Sequence, residues 1–369
     1  MSIKHLTVQD LRNLQQVDIA PGAGVNIIAG ANASGKTSLL EAIHMLALAR
    51  SFRSHRLASV VTAGQSACQL FARIETANGG SVPLGMSRRL DGEHQIRLNG
   101  ETLGSTSELA KLLPVQVIAP SNSGLLESSP GVRRQFLDWG VFHHDERFYG
   151  LWKQAQRLLK QRNSSLKCGT MEASVRASFD PGLVAVAEQL DELRTAYLEA
   201  LEPLFFASLK QMANIPDLNL GYYRGWNKDK SLGSVFAETL ARDMQLGYTQ
   251  RGPQRADLRF TVQGANAAER LSRGQQKLVT IALRLAQGRL LGMAGQRRCL
   301  FLVDDLAAEF DQQHLRQVCE QLVAMQSQVF VTTVNSDELA DVWPPNTALT
   351  QFTLQQGKVT AHNAGSTLV

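Results

Sequence analysis

The stretch Gly30-Ala31-Asn32-Ala33-Ser34-Gly35-Lys36-Thr37 decides which fold this chain adopts. It follows an apolar run, Val25 to Ile28, and precedes a segment with leucine and isoleucine at helical spacing. A GxxxxGK[ST] loop between a strand and a helix binds phosphates through its backbone N–H groups and the positive end of the helix. Lys36 would reach the β- and γ-phosphates and Thr37 would ligate Mg²⁺, so ATP and Mg²⁺ are the expected cofactors. The residues expected to bind the nucleotide are Gly30, Ala31, Asn32, Ala33, Ser34, Gly35, Lys36, Thr37 and Ser38.

A second element of the same site is the apolar run Leu300 to Val303, which leads directly into Asp304 and Asp305. In phosphate-loop ATPases a carboxylate after a neighbouring strand holds the Mg²⁺, and this role falls to Asp304 together with Thr37. Asp305 is the candidate catalytic group that orients or deprotonates the attacking water. On its own the pattern is weak, because an Asp after a buried strand is also a common helix cap.

The motif Leu271-Ser272-Arg273-Gly274-Gln275 indicates the class of ATPase. Ser272 is also a good helix cap, so a purely structural role is the alternative to a functional one. The motif resembles the signature of ABC-type ATPases, in which it contacts the γ-phosphate bound by a second subunit. The resemblance implies a catalytic role for Ser272 beside Lys36 and Asp305, and nucleotide contacts from Arg273, Gly274 and Gln275. ATP would then be a ligand of the dimer, so that binding drives homodimerisation and hydrolysis reverses it.

Further motifs resemble those of the RecF family of bacterial recombination mediators, which is related to ABC and SMC ATPases. They run in the family's order from about residue 10 to residue 311: Asp10 to Leu14, Arg50 to Arg53, Arg133 to Asp138, Lys160 to Asn163, Gly252 to Leu258, Leu271 to Lys277 and Asp304 to Asp311. The resemblance implies a DNA-dependent ATPase of recombinational repair that acts at single-strand gaps. It also implies cooperation with RecO and RecR to load RecA in gap repair, replication restart and the SOS response.

The chain should form an α/β, ABC-type P-loop ATPase head with a parallel or mixed sheet, interrupted by an inserted helical lobe. At 369 residues it exceeds the usual size of one domain, which is about 100–200 residues. Strand-like alternation and βαβ order at both ends predict a head from residues 1–120 and 250–369. Apolar residues at helical spacing from Phe148 to Leu159 and from Leu183 to Leu204, with a break around Cys168 to Pro181, predict a short antiparallel helical hairpin within residues 121–249.

The net charge of +5 has a definite place in the sequence. Between Gly131 and Lys167 there are eight Lys and Arg against three Asp and Glu, an excess as large as that of the whole protein. Since no RRM, zinc-finger or helix-turn-helix pattern is present, we expect DNA binding through phosphates, indifferent to sequence. The candidate contacts are Arg50, Arg53, Arg56, Arg133, Arg134, Lys153, Arg157, Lys160 and Arg162. Basic residues on a polar helix face are also commonly no more than solvated.

Departures from the transport-ATPase pattern predict slow turnover. Arg273 replaces a Gly, and Asp305 stands where a Glu is usual, one methylene farther from the attacking water. The strand Val329 to Thr333 brings no switch histidine, so Thr332, Thr333 and Asn335 are the candidate polar contacts to the γ-phosphate. An SMC-like structural DNA clamp or tether with negligible turnover is the alternative function. A transporter subunit is disfavoured by the Arg-rich insert.

The remaining features suggest a cytoplasmic protein without a membrane span. The four cysteines are scattered and form no CxxC pair, which fits a reducing compartment. No secretory signal is apparent, and the longest apolar runs are far short of the roughly 18 residues that a membrane span needs. His143 and His144 are adjacent, so they point to different faces of a helix, and no matching ligand set accompanies them.

Overall fold

The fold is given by a computed structural model whose described residues are 1–54, 57–76, 78–119, 124–168, 173–293, 297–339 and 341–362. The chain divides into two compact units. Unit 1 comprises residues 1–123 and 281–369, and unit 2 comprises residues 124–280.

Both units combine helices with strands. The strands are β1 (Ser2–Leu11), β2 (Leu14–Ile19), β3 (Val25–Ala29), β4 (Ala67–Glu75), β5 (Ser81–Arg89), β6 (His94–Leu98), β7 (Glu101–Thr102), β8 (Val115–Ile118), β9 (Leu218–Tyr223), β10 (Asp257–Val262), β11 (Ala265–Asn266), β12 (Leu300–Val303), β13 (Val329–Thr333), β14 (Leu349–Gln355) and β15 (Lys358–His362). The α-helices are α1 (Lys36–Leu48), α2 (Thr106–Leu112), α3 (Pro130–His144), α4 (Arg147–Lys167), α5 (Ala173–Met212), α6 (Leu232–Leu246), α7 (Ala267–Arg270), α8 (Arg273–Met293), α9 (Leu306–Glu309) and α10 (Gln312–Ala324).

Unit 1 contains a six-stranded mixed sheet of order β15-β14-β3-β13-β12-β8, in which most neighbouring strands are parallel. The pairs β14–β3, β3–β13, β13–β12 and β12–β8 are all parallel, and β15 alone of these strands runs antiparallel to its neighbour. The predicted α/β class is therefore confirmed. Because β3, β13 and β12 are adjacent and parallel, their carboxyl ends meet at one edge of the sheet.

A second, antiparallel sheet of order β2-β1-β4-β5-β6-β7 completes the strand structure of unit 1. Its strands show the alternation that the sequence predicted, with Cys68, Leu70, Ala72 and Ile74 of β4 buried and the side chains between them more exposed. One face of this sheet therefore joins the apolar core.

Helix α1 lies at the centre of that core. Apart from Thr37 and Leu48, its residues are all buried, and the apolar ones share one hydrophobic cluster with side chains from both sheets of unit 1. A helix that is buried nearly all round is held by packing rather than by one amphipathic stripe. The loop that precedes α1 is thus anchored on a rigid element.

Unit 2 contains the predicted antiparallel hairpin, formed by α4 and α5. Leu158 Cδ1 lies 3.6 Å from the Cβ position of Gly182, while Leu166, farther along α4, shares a hydrophobic cluster with Phe179, so the two helices run in opposite directions. The predicted break up to Pro181 is wrong in extent, because α5 already begins at Ala173 and runs through Pro181. Proline removes one backbone donor from a helix but does not end this one.

The small sheet β11-β10-β9 in unit 2 was not predicted. Residues Asp257–Val262 of β10 pair with Leu218–Tyr223 of β9 along their whole length. This pairing groups residues 250–280 with unit 2, whereas the sequence pattern had assigned them to the head.

The four cysteines remain free thiols. Cys68, Cys299 and Cys319 are buried, Cys168 is exposed at the end of α4, and none forms a disulfide. No described helix is long and apolar enough to cross a bilayer. Within the described part of the chain, no three His, Cys, Asp or Glu side chains are grouped as a metal site.

Arg162 of α4 ties the hairpin to α6. Its side chain is fully buried, with Nε donating to Asp180 Oδ1 at 3.0 Å and Nη1 donating to Asp243 Oδ2 at 2.9 Å. Nη1 also donates to Thr249 Oγ1 at 2.7 Å, and the guanidinium lies 4.3 Å from the ring centroid of Phe236. Asp243 is itself fully buried, so it depends on Arg162 for its counter-charge.

We expect Arg162→Ala to destabilise the protein by about 3–5 kcal/mol, because it leaves Asp243 buried and without its cation. Urea unfolding followed by circular dichroism measures the change. Arg157→Ala removes an exposed arginine from the same helix and should change stability by no more than about 0.5 kcal/mol. Equal effects of the two substitutions would contradict this role of Arg162.

Candidate nucleotide-binding site

The loop of residues 30–35 joins β3 to α1 in the conformation that phosphate binding needs. Ala33 and Gly35 have positive φ values of 62° and 114°, and the Gly30 N–H donates to Thr333 O at 3.2 Å, which joins the loop to β13. At Gly35 a Cβ atom would lie 2.6 Å from Leu14 Cδ2, so glycine is needed both for its φ and for its close packing. Successive N–H groups in such a turn form an anion-binding concavity at the start of the helix.

The side chains of this loop are free to meet a phosphate. Ala31, Asn32 and Ala33 are exposed. The buried Ser34 Oγ has no hydrogen-bond partner among the described residues, and it is available to donate to a phosphate oxygen. The residues present therefore fit a bound nucleoside triphosphate.

Lys36 places its ammonium at the mouth of the loop. Its Nζ donates to the carbonyl oxygens of Gly30 at 2.6 Å and Ala31 at 3.0 Å. Burial lowers the pKa of Lys36, and the negative charges of Asp305 and Asp304 oppose that shift. An ammonium held by neutral carbonyls in this position can turn to an anionic phosphate, which offers a stronger, charge-assisted hydrogen bond.

The structure brings Thr37 and Asp304 into direct contact. Thr37 Oγ1 lies 3.0 Å from each carboxylate oxygen of Asp304, although 267 residues separate the two in the chain. A hydroxyl and a carboxylate are the hard oxygen ligands that Mg²⁺ takes, with nucleotide phosphates and water completing its coordination. These two residues fit a Mg²⁺ ion, which would neutralise phosphate charge when bound.

Thr332 orients both acidic residues of the site. Its buried hydroxyl donates to Asp304 Oδ1 at 2.8 Å and accepts from the Asp305 backbone N–H at 2.9 Å. The expectation that Thr332 contacts the γ-phosphate therefore fails, because its hydroxyl is already used. Thr333 is likewise engaged, with Oγ1 2.9 Å from Glu338 Oε2, while Asn335 remains exposed.

Asp305 directly follows Asp304 at the end of β12. Its backbone is left-handed, with φ 52°, and it precedes the short helix α9. Burial and the charge of Asp304 raise the pKa of Asp305, and Lys36 counteracts them. A carboxylate with a raised pKa is a better proton acceptor at neutral pH than an ordinary Asp.

Sequence reasoning missed two side chains that support the loop. Asn13, predicted only as part of the family motif Asp10 to Leu14, donates from Nδ2 to Ala33 O at 2.8 Å and accepts from Ser38 Oγ at 3.0 Å. Ser38 thus faces Asn13, and the structure gives no support to its predicted nucleotide contact. Glu41, fully buried on α1, accepts from Arg12 Nη2 at 2.8 Å and from Ser51 Oγ at 2.5 Å. A lone Asn in a turn and an acidic residue on an apolar helix were the signals available.

The signature motif opens α8 in unit 2. Ser272 N–H donates to Gln275 Oε1 at 3.0 Å, and Gln275 N–H donates to Ser272 Oγ at 3.3 Å, a reciprocal cap of the helix. Ser272 therefore does cap α8. At the same time Ser272, Arg273 and Gly274 are exposed.

The basic residues predicted to contact DNA fall into different environments. Arg162 is buried as described above, and Arg133 is 14 % exposed and bound to Asp257 through Nε and Nη2, both at 2.8 Å. The prediction of phosphate contacts is wrong for these two, because their charges are already paired. Arg134 is half-buried and donates to Ala256 O at 2.7 Å. Arg56 lies outside the described residues.

Exposed cations remain in both units. In unit 1, Arg50 and Arg53 are exposed, with Arg53 Nη1 3.7 Å from Glu41 Oε2. In unit 2, Lys153, Arg157 and Lys160 of α4 are exposed, and so is Lys167. We call these four residues of α4 the basic stripe. Helix α4 contains no Asp or Glu, and no ion pair joins the basic stripe to any described residue.

A phosphate loop on a parallel sheet, the Thr37–Asp304 pair that fits Mg²⁺ and an ABC-type signature motif together define a P-loop ATPase head. A family model described as the RecF/RecN/SMC N terminal domain matches residues 2–360. The chain belongs to this family, and within it to the RecF branch, as its relatives indicate. Proteins named "DNA replication and repair protein RecF" from Pseudomonas fluorescens (strain SBW25) and Pseudomonas syringae pv. tomato are 48% and 47% identical to it, each over 98% of both chains.

Solved structures show the same fold. A structure of the recombination mediator protein RecF with ATP in the RecFOR pathway covers 98% of this chain and 97% of its own, with a TM-score of 0.85 at 24% identity. An SMC head bound to the C-terminal winged-helix domain of ScpA covers 99% and 98%, with a TM-score of 0.61 at 16% identity.

We expect Thr332→Val to weaken Mg²⁺-dependent ATP binding, because valine keeps the shape of threonine but cannot hold Asp304. Loss of a group that orients a metal ligand typically costs about 10- to 100-fold in metal affinity. Titration of Mg²⁺ against the protein with a fluorescent ATP analogue measures it, and binding in EDTA should change little. Thr332→Ser retains the hydroxyl and should restore the Mg²⁺ dependence. An unchanged Mg²⁺ titration for the valine variant would show that Asp304 is positioned without Thr332.

Proposed function

We propose that this protein is an ATP-dependent DNA-binding protein of recombinational repair that closes as a homodimer on DNA at single-strand gaps. The observation that carries the proposal is the contact of Thr37 with Asp304 beside the loop ammonium of Lys36, a ready site for Mg²⁺ and ATP. The names of its relatives, which are DNA replication and repair proteins, support the biological setting.

The exposed signature motif supports dimerisation through ATP. Ser272, Arg273 and Gly274 offer a hydroxyl, a cation and an open backbone at the start of α8. Beyond the helix backbone, a Cβ added at Gly274 would meet Ser272 Oγ at 4.0 Å as its nearest neighbour, so the space above this glycine is open to a second molecule. A helix N-terminus with free space above it suits the γ-phosphate held by a partner subunit.

We expect Ser272→Arg to abolish ATP-dependent dimerisation while ATP binding persists, because the added side chain fills the surface that meets the partner's phosphate. Size-exclusion chromatography with light scattering in ATP, in ADP and without nucleotide measures the oligomeric state. Ser231→Arg is the matched control, since Ser231 is another exposed N-cap serine in unit 2 and its loss costs a similar cap. Lys36→Ala should lose both ATP binding and the dimer. If ATP leaves the unsubstituted protein monomeric, the shared-site mechanism is wrong.

The basic stripe supports DNA binding through phosphates. Four exposed cations on a helix without acidic residues give a local positive field that a phosphate backbone would neutralise. Their regular spacing along α4 suits a backbone and carries no base-specific pattern. Arg50 and Arg53 are candidate contacts on unit 1.

We expect the double substitution Arg157→Glu and Lys160→Glu to weaken duplex binding by about tenfold or more at low salt. Two lost phosphate contacts should also reduce the slope of log affinity against log salt by roughly 2. Fluorescence anisotropy with a labelled duplex over a salt series measures both quantities. Lys210→Glu with Lys228→Glu changes the charge equally at exposed positions outside α4 and should have a much smaller effect. Equal losses in the two variants would mean that the net charge, not the stripe, governs binding.

Slow, DNA-stimulated hydrolysis is the proposed role of the catalytic groups. Asp305 would accept the proton of the attacking water, Lys36 would bind the phosphates, and Ser272 would complete the site from the partner. RecO, RecR and RecA are the proposed cooperating proteins, in gap repair, replication restart and the SOS response. The resemblance to an SMC head keeps the structural tether as the rival function. ATPase assays with and without duplex distinguish the two, since a tether would show negligible turnover with either.

A further inference from the structure

A cavity opens beside the basic stripe in unit 2. Its volume is about 260 Å³, and it is lined by side chains of α3, α4, α5 and the segment around Pro253. Trp152 and Gln156 of α4 form one wall of it, one turn apart. The volume lies just below the roughly 300–1,000 Å³ of pockets for drug-sized ligands, so the cavity suits a single small group.

Trp152 offers an aromatic surface at this cavity. Trp152 is 36 % exposed, which is unusual for so large an apolar residue. Among the described residues no other aromatic ring stacks on it, in contrast to the pairs around Trp139 and Phe142 in the same unit. An exposed indole next to cations is a typical stacking platform for a base.

Polar groups around the cavity are suited to a neutral, hydrogen-bonding ligand. Asp138 and Arg194 satisfy each other, with Arg194 Nε and Nη2 donating to the two carboxylate oxygens at 2.9 and 3.1 Å. Arg134 uses Nη1 to bind Ala256 O, which leaves the rest of its guanidinium for a further acceptor. The exposed amide of Gln156 can both donate and accept.

A shallow groove continues from the cavity along α4. Its volume is about 730 Å³, and it is lined by three members of the basic stripe: Arg157, Lys160 and Lys167. The groove and the cavity share the lining residues Gln156 and Leu159, so they lie side by side along α4. None of the described residues that line the groove carries a carboxylate. A cationic groove with an aromatic group at one end is the arrangement by which proteins hold single strands without reading their sequence.

We propose that α4 binds an unpaired stretch of DNA, with the sugar–phosphate backbone along the groove and one unpaired base in the cavity, stacked on Trp152. The inference rests on the proposed DNA binding and adds to it a site for the single-stranded side of a gap. Gln156 hydrogen bonds the edge of the base, and its amide accommodates any of the four bases. A paired base cannot enter, because it is stacked between its neighbours in the duplex.

The test compares Trp152→Ala and Trp152→Phe on two DNAs, a plain duplex and the same duplex with a short single-strand gap. Trp152→Ala should lower affinity for the gapped DNA by about 5- to 150-fold, the usual effect of removing a stacking side chain, and leave duplex affinity unchanged. Trp152→Phe should retain most of the affinity. Thermal unfolding of each variant verifies the fold, which the exposed position of Trp152 should preserve.

Replacing the gap nucleotides with abasic ones separates stacking from backbone contact. Abasic DNA should bind the unsubstituted protein and Trp152→Ala equally, because no base is left to stack. The proposal is overturned if Trp152→Ala lowers the affinity for duplex and gapped DNA alike, or if it changes neither affinity. It is also overturned if a polyglutamate peptide competes with DNA and binds the Trp152→Ala variant more weakly, which would indicate an acidic protein partner.

The two proposals fail in different ways. If the paired substitutions of Arg157 and Lys160 leave duplex binding and its salt dependence unchanged, DNA binding by α4 is wrong. If those substitutions act as expected while Trp152→Ala leaves the affinity for gapped DNA unchanged, the base-binding cavity alone is wrong.

Discussion

The contact between Thr37 and Asp304 is the constraint on which the ATPase site depends. It requires β3 and β12 to run in the same direction with β13 alone between them, so that both strand ends reach one edge of the sheet. The hydroxyl of Thr332, on β13 itself, then bonds Asp304 and the backbone of Asp305 together. Three neighbouring strands therefore each contribute one part of a site that no single segment could build.

The rest of unit 1 keeps this edge in place. Helix α1 is buried between two sheets, which fixes the position at which the phosphate loop ends and the helix begins with Lys36. Asn13, in the turn after β1, hydrogen bonds to the phosphate loop and to α1. Glu41 of α1 hydrogen bonds to the same turn and to the segment that carries Arg50 and Arg53. Such supporting hydrogen bonds hold a polar loop in one conformation and so lower the entropy that must be lost when a phosphate binds.

Much of the head could be predicted from the sequence, because motifs with fixed chemistry lie next to clear strand and helix patterns. The phosphate loop, the strand before Asp304 and the hairpin helices were all evident in this way. The burial of Arg133 and Arg162 could not be predicted, since a charged residue on a helix looks the same whether it meets water or a distant Asp243 or Asp257. The β9–β10 pairing was equally inaccessible, because a short strand at the end of a long helical region shows no sign of its partner.

Cys168 gives the molecule a practical advantage. It is exposed at the end of α4, one residue beyond Lys167, while the other three cysteines are buried, where desolvation raises their pKa values and keeps them as unreactive thiols. A maleimide dye would therefore attach beside the basic groove without prior removal of any native cysteine. The chain therefore already carries an attachment site for a single-molecule fluorophore at the surface proposed to bind DNA.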